Sequence, residues 1–107
     1  MESRDKKLQE IQILEQTLHN ISFQKQAFQL ELSETIESRN SLQSSGEEVF
    51  KIIGQLMIKT EKKKIQEELT NKQKLLELRI KSIEKEEDSL SKRVVSLREE
   101  LIPSNKK

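Results

Sequence analysis

Few side chains in this chain are of types that carry out chemistry, and their spacing argues against a catalytic site. The only histidine is His19, which falls at an outward position of a helical pattern, and there is no cysteine to accompany it. We therefore expect His19 to be a solvated surface residue rather than a base or a metal ligand. A phosphate-cradling loop is also not expected, because the chain contains only two glycines and they lie apart.

Two charged clusters are the remaining candidates for binding chemistry. The acidic cluster comprises Glu84, Glu86, Glu87 and Asp88, and the basic run comprises Lys59, Lys62, Lys63 and Lys64. Helical spacing scatters the acidic side chains around the helix, so a solvated face is favoured over a metal site. The basic run has no interleaved aromatic residues, and the net charge of the chain is only +1. The sequence therefore predicts no enzyme, no metal, no cofactor and no nucleic-acid partner.

The composition favours a coiled coil over a globular domain. Charged residues make up 36% of the chain, hydrophobic residues 32% and aromatic residues 3%. Disorder is the alternative for so polar a chain, but disorder would not space the leucines regularly. The absence of cysteine suits a reducing compartment, and neither a signal peptide nor a membrane-spanning stretch is evident. We expect a single cytoplasmic domain over residues 1–107 with no membrane partner.

Leucine and isoleucine recur with heptad spacing along the first part of the chain. Position a falls on Ile11, Leu18, Lys25, Leu32 and Arg39, and position d on Leu14, Ile21, Phe28, Thr35 and Leu42. All but Lys25, Thr35 and Arg39 are apolar, which predicts a coiled-coil helix over about residues 5–45. Gly46 is expected to end this helix, because glycine readily adopts the left-handed conformation found at helix C-termini.

A second heptad pattern occupies the last part of the chain. Position d falls on Leu69, Leu76, Ile83, Leu90 and Leu97, and position a on Gln73, Ile80, Glu87, Val94 and Leu101. This pattern predicts a helix over about residues 61–102. Thr60 is expected to cap it, Glu61 to suit the positive end of its dipole, and Pro103 to stop it. The tail from 103 to 107 is expected to be frayed.

The two heptad patterns fit each other as an antiparallel pair. With Ile11 opposite Leu97 and Leu32 opposite Leu76, each a residue meets a d residue, and the chain folds back at Gly54. We call this row of a and d residues the seam.

The seam contains polar layers that differ along its length. In this register Lys25 and Glu87 lie in adjacent layers and can pair diagonally, which costs stability but helps to set the register. Near the fold-back, Thr35 faces Gln73, and Arg39 lies in the next layer towards the turn. The coiled coil is therefore expected to be weak at that end.

A short apolar segment of strand composition lies between the two heptad patterns. It contains Val49, Phe50, Ile52, Ile53, Leu56, Met57 and Ile58 around Gly54. Bulky and β-branched residues on both sides of a glycine predict a two-stranded hairpin over about residues 48–59. Because it is apolar on both faces and has open edges, the hairpin needs a cover. The predicted fold is mainly α, a long antiparallel two-helix coiled coil joined by a central β-hairpin that serves for assembly.

The opposite end of the helical pair carries apolar residues outside the seam. Leu8, Ile13, Val95 and Ile102 fall at outward positions, beside the seam residues Ile11, Leu14, Val94, Leu97 and Leu101. Fraying of the helices would open the seam into a surface that binds another apolar chain. The alternative is a poorly ordered tip without a role. Further along the helices, Phe23, Leu30, Leu75 and Leu78 are also off the seam, and packing against a neighbouring subunit and lining a cavity both fit them.

The segment from Val49 to Thr60 resembles the central strand–glycine–strand pattern of the β-type subunits of prefoldin. An aromatic–lysine pair precedes Gly54 and an aliphatic–lysine pair follows it. The segment Glu77–Glu84 is also similar, especially to archaeal members, and the resemblance extends from Leu8 to Leu101. Gln55 departs from the pattern, since many relatives carry proline there; the turn is then less constrained.

This resemblance implies a chaperone subunit within a hexamer of two α-type and four β-type subunits. The hairpins of such a hexamer form a β-barrel from which six coiled coils extend, and a single hairpin marks a β-type subunit. The family binds non-native polypeptides at the coiled-coil tips and passes them to a group II chaperonin without ATP. The tip residues named above would then hold clients, and Val49 to Ile58 would assemble the complex. A structural coiled-coil adaptor or tether in a multi-subunit complex is the alternative.

Overall fold

The computed structural model describes residues 2–46 and 48–102, without the side chains of residues 2, 48, 52 and 53. Helix α1 (Glu2–Gln43) is followed by strand β1 (Glu48–Ile53), strand β2 (Leu56–Glu61) and helix α2 (Lys62–Leu101). Two long helices joined by an antiparallel hairpin confirm the predicted fold class. The chain divides into two compact units, which we call the terminal unit (Met1–Ala27 with Ile80–Lys107) and the hairpin unit (Phe28–Arg79).

The predicted seam is confirmed at every position. All a and d residues of both heptad patterns are buried or half-buried, including the polar ones. Heptad spacing places these residues on one stripe of each helix, and burial of that stripe against the other helix is the main source of stability for such a pair. The seam therefore follows directly from the spacing of the leucines and isoleucines.

The core of the terminal unit lies close to the chain ends. Ile11, Val94 and Leu97 form it, with Leu14, Leu18 and Leu101 packed against it. Leu97 is 1% exposed, the least of the buried hydrophobic residues. The predicted pair is also confirmed, since Lys25 Nζ donates a hydrogen bond of 2.8 Å to Glu87 Oε1.

The hairpin unit has a more polar seam than the terminal unit. Leu42 and Leu76 are buried, and Thr35 is buried with its hydroxyl donating to the Glu31 carbonyl at 2.8 Å. Arg39 donates to the side chain of Gln73, and the Arg79 guanidinium lies 5.7 Å from the centroid of the Phe28 ring. The hydrogen bonds of Thr35 and Arg39 satisfy the polar layers that the sequence placed near the fold-back.

The turn between the strands lies at Gly54 and Gln55, as predicted. The strands pair in an antiparallel register from Glu48 opposite Glu61 to Ile53 opposite Leu56. Gly54 has φ 61°, whereas Gln55 has no positive φ. A two-residue loop with a left-handed glycine at its first position has the pattern of a type II′ turn, which suits the twist of a hairpin.

Helix α1 ends earlier than predicted, and Gly46 is not its left-handed stop. The helix ends at Gln43, and Gly46 has no positive φ. Instead, the amides of Ser44 and Ser45 turn back to the carbonyls three residues before them, at 3.3 and 3.0 Å. Their hydroxyls both donate to the carbonyl of Ser41, at 3.0 and 3.2 Å. Serine side chains thus compete for the last carbonyls before the glycine is reached.

The start of helix α2 also differs from the prediction. Thr60 and Glu61 belong to β2, where they pair with Val49 and Glu48, and the helix begins at Lys62. Thr60 is therefore not the N-cap, because the strand ladder continues through it. Helix α2 ends at Leu101, whereas Pro103 and the tail 103–107 lie outside the described residues.

Candidate functional site

Four aliphatic side chains near the helix ends are exposed on the terminal unit. Ile13 is 66% exposed, Val95 56%, Ile102 46% and Leu8 42%. By their heptad positions Leu8, Val95 and Ile102 lie on one flank of the seam, and Ile13 lies on the other. We call Leu8, Val95 and Ile102 the tip patch. The sequence predicted that all four side chains point outward. It was not used to predict that they lie on two different flanks.

The seam residues proposed to join this surface are part of the folded core instead. Ile11, Val94 and Leu97 are buried, and Leu14 and Leu101 pack against them. In this arrangement they offer little apolar area to another chain. They would become accessible only if the two helix ends separated, so the tip patch is what the folded terminal unit presents.

Interhelical ion pairs flank this core on both sides. Arg93 contacts Glu10 with two hydrogen bonds of 3.0 and 3.4 Å, and Arg98 pairs with Glu15. The hydrogen bond to Glu10 and the charge of Glu10 raise the pKa of Arg93 above its ordinary value. Each pair joins two g positions or two e positions, the arrangement of an antiparallel coiled coil.

Two further contacts hold the helix ends together. Lys7 pairs with Glu100 at 3.1 Å, and Arg4 donates to the carbonyl of Leu101 at 3.3 Å. Sequence reasoning missed all of these contacts, although extending the heptad letters to the e and g positions would have found those of Arg93 and Arg98. The ion pairs hold the seam closed beneath the tip patch.

The hairpin presents apolar side chains on both of its faces. Leu56 is 67% exposed, Met57 65%, Phe50 62% and Ile58 43%, while Val49 is half-buried. Alternate residues of a strand point to opposite faces, so Phe50 and Met57 share one face while Leu56 and Ile58 share the other. Of the other proposed assembly residues, Gly54 forms the turn, and the side chains of Ile52 and Ile53 lie outside the described residues.

Two lysines connect the elements of the hairpin unit. Lys51 Nζ contacts Glu68 Oε2 at 2.9 Å, which joins β1 to α2. Lys62 Nζ donates to the carbonyls of Gln43 and Ser45 at 3.2 and 3.0 Å, and so satisfies the C-terminal end of α1. One member of the basic run therefore has a structural role, which the sequence did not indicate.

The chemistry-bearing residues form no catalytic arrangement in the part of the chain that the structure describes. His19 is exposed and its ring packs edge-to-face on Phe23, with centroids 4.7 Å apart, a contact that its spacing of four residues on one helix could have indicated. From the acidic cluster, Glu87 bonds to Lys25. Across residues 2–46 and 48–102, no group of three side chains is placed to hold a metal ion.

The four off-seam apolar side chains that the sequence places further along the helices are exposed. Phe23 is on the terminal unit, whereas Leu30, Leu75 and Leu78 are on the hairpin unit. Two of these, Leu75 and Leu78, lie three residues apart and therefore share one side of α2. Their exposure shows that residues 2–46 and 48–102 do not cover them.

Comparison with known proteins identifies the protein family to which this chain belongs. The family model described as prefoldin subunit matches residues 5–106. The chain belongs to the prefoldin subunit family. Prefoldins are chaperones rather than enzymes, and the chain is a prefoldin chaperone subunit, as the sequence predicted. That prediction was based on the strand–glycine–strand pattern around Gly54 rather than on the heptad spacing.

Archaeal β subunits are among the relatives. The prefoldin subunit beta of Thermococcus onnurineus is 33% identical over 89 residues, which cover 81% of this chain and 77% of that protein. The prefoldin subunit beta of Thermococcus kodakarensis is 33% identical over 92 residues, covering 84% and 79%. That of Methanococcus maripaludis is 42% identical over 55 residues, about half of each chain. The similarity to the first two extends over most of both chains.

A solved structure has the same fold. The crystal structure of the prefoldin beta subunit from Thermococcus strain KS-1 matches with a TM-score of 0.86 and 30% identity, over 94% of each chain. The helix–hairpin–helix order described above is therefore that of a prefoldin β subunit. Among the described helices, none has the length and apolar character needed to cross a membrane.

Proposed function

We propose that this prefoldin subunit is an ATP-independent holdase that binds non-native polypeptides at its terminal unit and delivers them to a group II chaperonin. The observation that carries the proposal is the tip patch, in which Leu8, Val95 and Ile102 are exposed above a core closed by ion pairs. Exposed aliphatic side chains gain roughly 25 cal/mol per Å² of apolar area buried by a client. Each contact is small, so binding is weak and reversible at one tip.

The hairpin is the assembly element of this proposal. Its exposed apolar residues on both faces suit burial against other hairpins, in a cytoplasmic hexamer of two α-type and four β-type subunits. Several tips in one complex would then engage one client together, which raises avidity without any new contact. The proposal includes no catalytic activity, cofactor, nucleic acid or membrane.

The client-binding residues proposed from the sequence divide into two groups in this scheme. The exposed group makes the first contact, and Ile13 extends it on the other flank. The seam group contributes only when the helix ends separate; it comprises Ile11, Leu14, Val94, Leu97 and Leu101. Exposed and seam residues therefore require different variants in a test.

A triple variant of the tip patch tests the client-binding proposal. Leu8→Ser, Val95→Ser and Ile102→Ser together remove apolar area without opening the core, so folding should be retained. We expect the concentration of assembled complex needed to suppress aggregation of a denatured client to rise about tenfold. Light scattering measures this suppression, and circular dichroism checks that the helices remain.

The matched control is a triple serine variant at three exposed leucines of the hairpin unit, Leu30, Leu75 and Leu78. It removes a similar apolar area, and suppression should stay at the wild-type level. Unchanged suppression by the tip variant would refute the holdase site. A loss of suppression confined to the control variant would instead place client binding along the helices.

A further inference from the structure

Two carboxylates border the aliphatic side chains of the tip patch. Glu99 comes four residues after Val95 and three before Ile102, whose amide still bonds to the Glu99 carbonyl at 3.2 Å. Asp5 comes three residues before Leu8. Residues at these spacings are neighbours on one face of a helix, so each carboxylate lies beside an exposed aliphatic side chain. Both acidic residues are exposed as well.

The cations that neighbour Val95 are already paired. Arg98, three residues after it, pairs with Glu15 of α1. Lys92, three residues before it, pairs with Asp88 at 3.0 Å. Each positive charge is therefore balanced by a carboxylate of the chain itself, and a client carboxylate could bind either cation only by displacing its present partner.

The charged residues next to Leu8 differ in the same way. The Arg4 guanidinium donates to the carbonyl of Leu101 at 3.3 Å, at the C-terminal end of α2, where a cation suits the negative end of the helix dipole. By contrast, Asp5 and Glu99 make no ion pair with any residue in 2–46 or 48–102. The tip patch is thus bordered by engaged cations and by carboxylates that are available to a ligand.

This difference favours clients that carry positive charge. A segment that buries an aliphatic side chain on the tip patch brings its neighbouring side chains to the border of the patch. A lysine or arginine there meets a carboxylate without a partner, whereas an aspartate or glutamate meets a like charge. Exposed charge pairs change binding by a factor of about 1.5 to 5 each, so two carboxylates should discriminate about three- to tenfold.

We propose that the tip patch selects non-native segments in which aliphatic residues lie next to lysine or arginine, and that Asp5 and Glu99 make this selection. The inference rests on the proposed function and names the class of client for that same site. Burial of aliphatic area supplies the affinity for every client, and the two carboxylates rank clients of equal apolar content by their charge.

Two fluorescent peptides that differ only in charge test the inference. Both carry the same leucines and valines in the same order, and one has lysine wherever the other has glutamate. Fluorescence anisotropy measures the dissociation constant of each peptide for the full-length chain. We expect the lysine peptide to bind about three- to tenfold more tightly at low salt. Its advantage should shrink in about 1 M salt, where charges are screened within about 3 Å.

Charge variants then identify the residues responsible. Asp5→Asn with Glu99→Gln keeps the size of both side chains, and the ratio of the two dissociation constants should approach one. Asp5→Lys with Glu99→Lys should invert the ratio. The matched control is Glu34→Gln with Glu37→Gln, which removes the same net charge at exposed glutamates of the hairpin unit that make no ion pair among the described residues. This control should leave the ratio unchanged, and circular dichroism checks that all variants remain helical.

The outcomes separate this inference from the proposed function. Equal binding of the two peptides to wild type, with both lost in the serine variant of the tip patch, would overturn the client preference and leave the holdase site in place. A preference that survives Asp5→Asn with Glu99→Gln, or that persists undiminished in high salt, would overturn the role of the carboxylates. So would an equal loss of preference in the control variant, because net charge would then explain it. Binding of neither peptide would overturn both the inference and the proposed site.

Discussion

Lys25 and Glu87 form an ion pair across the seam of the terminal unit, with Nζ and Oε1 2.8 Å apart. Both residues occupy a positions, and both side chains are only 23% exposed. Displacement of one helix by a turn would separate them and leave each charge among apolar seam residues. The pair therefore favours one register of α1 against α2, at a cost in stability relative to an apolar layer.

Removing one member of this pair should destabilise the chain more than removing both. Lys25→Met leaves Glu87 half-buried without its cation, so the melting temperature should fall. The double variant Lys25→Met with Glu87→Met should melt at or above the wild-type temperature, because apolar pairs of this size replace ion pairs well. Circular dichroism melting measures both. Lys92→Met, which breaks the exposed pair with Asp88, is the control and should have little effect. A single variant as stable as wild type would contradict the assignment.

The same pair predicts a dependence of stability on pH. The hydrogen bond to Glu87 raises the pKa of Lys25 above its ordinary value of 10.5; partial burial opposes this, and the charges of Glu87 and Glu84 add to it. The folded chain then holds the proton more tightly than the unfolded chain. This contribution is complete below pH 10.5 and is lost as the pH rises through the raised pKa. Over that alkaline range, the free energy of unfolding measured in urea should fall more for wild type than for Lys25→Met. Equal losses in the two proteins would contradict a contribution from Lys25.

Leu97 should be the most sensitive core position near the tip. Leu97→Ala creates a cavity beside Ile11 and Val94, since the leucine is 1% exposed, and should lower the free energy of unfolding by about 2–3 kcal/mol. Val95→Ala, two residues earlier and 56% exposed, should change it by less than about 0.5 kcal/mol. Chemical denaturation followed by circular dichroism distinguishes the two. Equal effects would mean that the seam does not run through Leu97.

Gly54 should tolerate substitution only by residues that accept a left-handed backbone. A Cβ at Gly54 would meet nothing within 4 Å, so the cost of Gly54→Ala comes from φ 61° alone, about 1 kcal/mol. Gly54→Asn should cost less, because asparagine adopts this conformation more readily. The control Gly46→Ala has neither a positive φ nor a nearby atom and should be neutral or slightly stabilising. Thermal melting ranks the three, and an equal loss at both glycines would contradict the turn assignment.

Lys62 should hold the end of helix α1 in place. Lys62→Met removes the donor to the carbonyls of Gln43 and Ser45, so the last turn of α1 should fray. Hydrogen exchange of the amides around Ser44 and Ser45 should become faster, without a change near Leu97. Lys63→Met is the neighbouring control and should leave those amides unchanged. Equal exchange in both variants would show that the lysine does not cap the helix.

The serine-rich end of α1 shows where sequence reasoning was insufficient. Glycine at position 46 is a common helix stop, but serine hydroxyls and Lys62 reach the last carbonyls first, and the helix ends at Gln43. Thr60 has the chemistry of an N-cap, yet its backbone is already paired with Val49. At the end of α1 the glycine preference was overridden by neighbouring serines together with Lys62, and at Thr60 the capping preference was overridden by pairing with Val49 of the facing strand.

The sequence by itself determined the seam, the hairpin turn and the family. Heptad spacing depends only on the geometry of one helix, a left-handed turn position favours glycine, and the strand–glycine–strand pattern is local. The tertiary structure decided the rest. It joined Arg93 to Glu10 and Lys51 to Glu68. These relationships join residues distant in the chain, and they exist only after folding has placed the elements against each other.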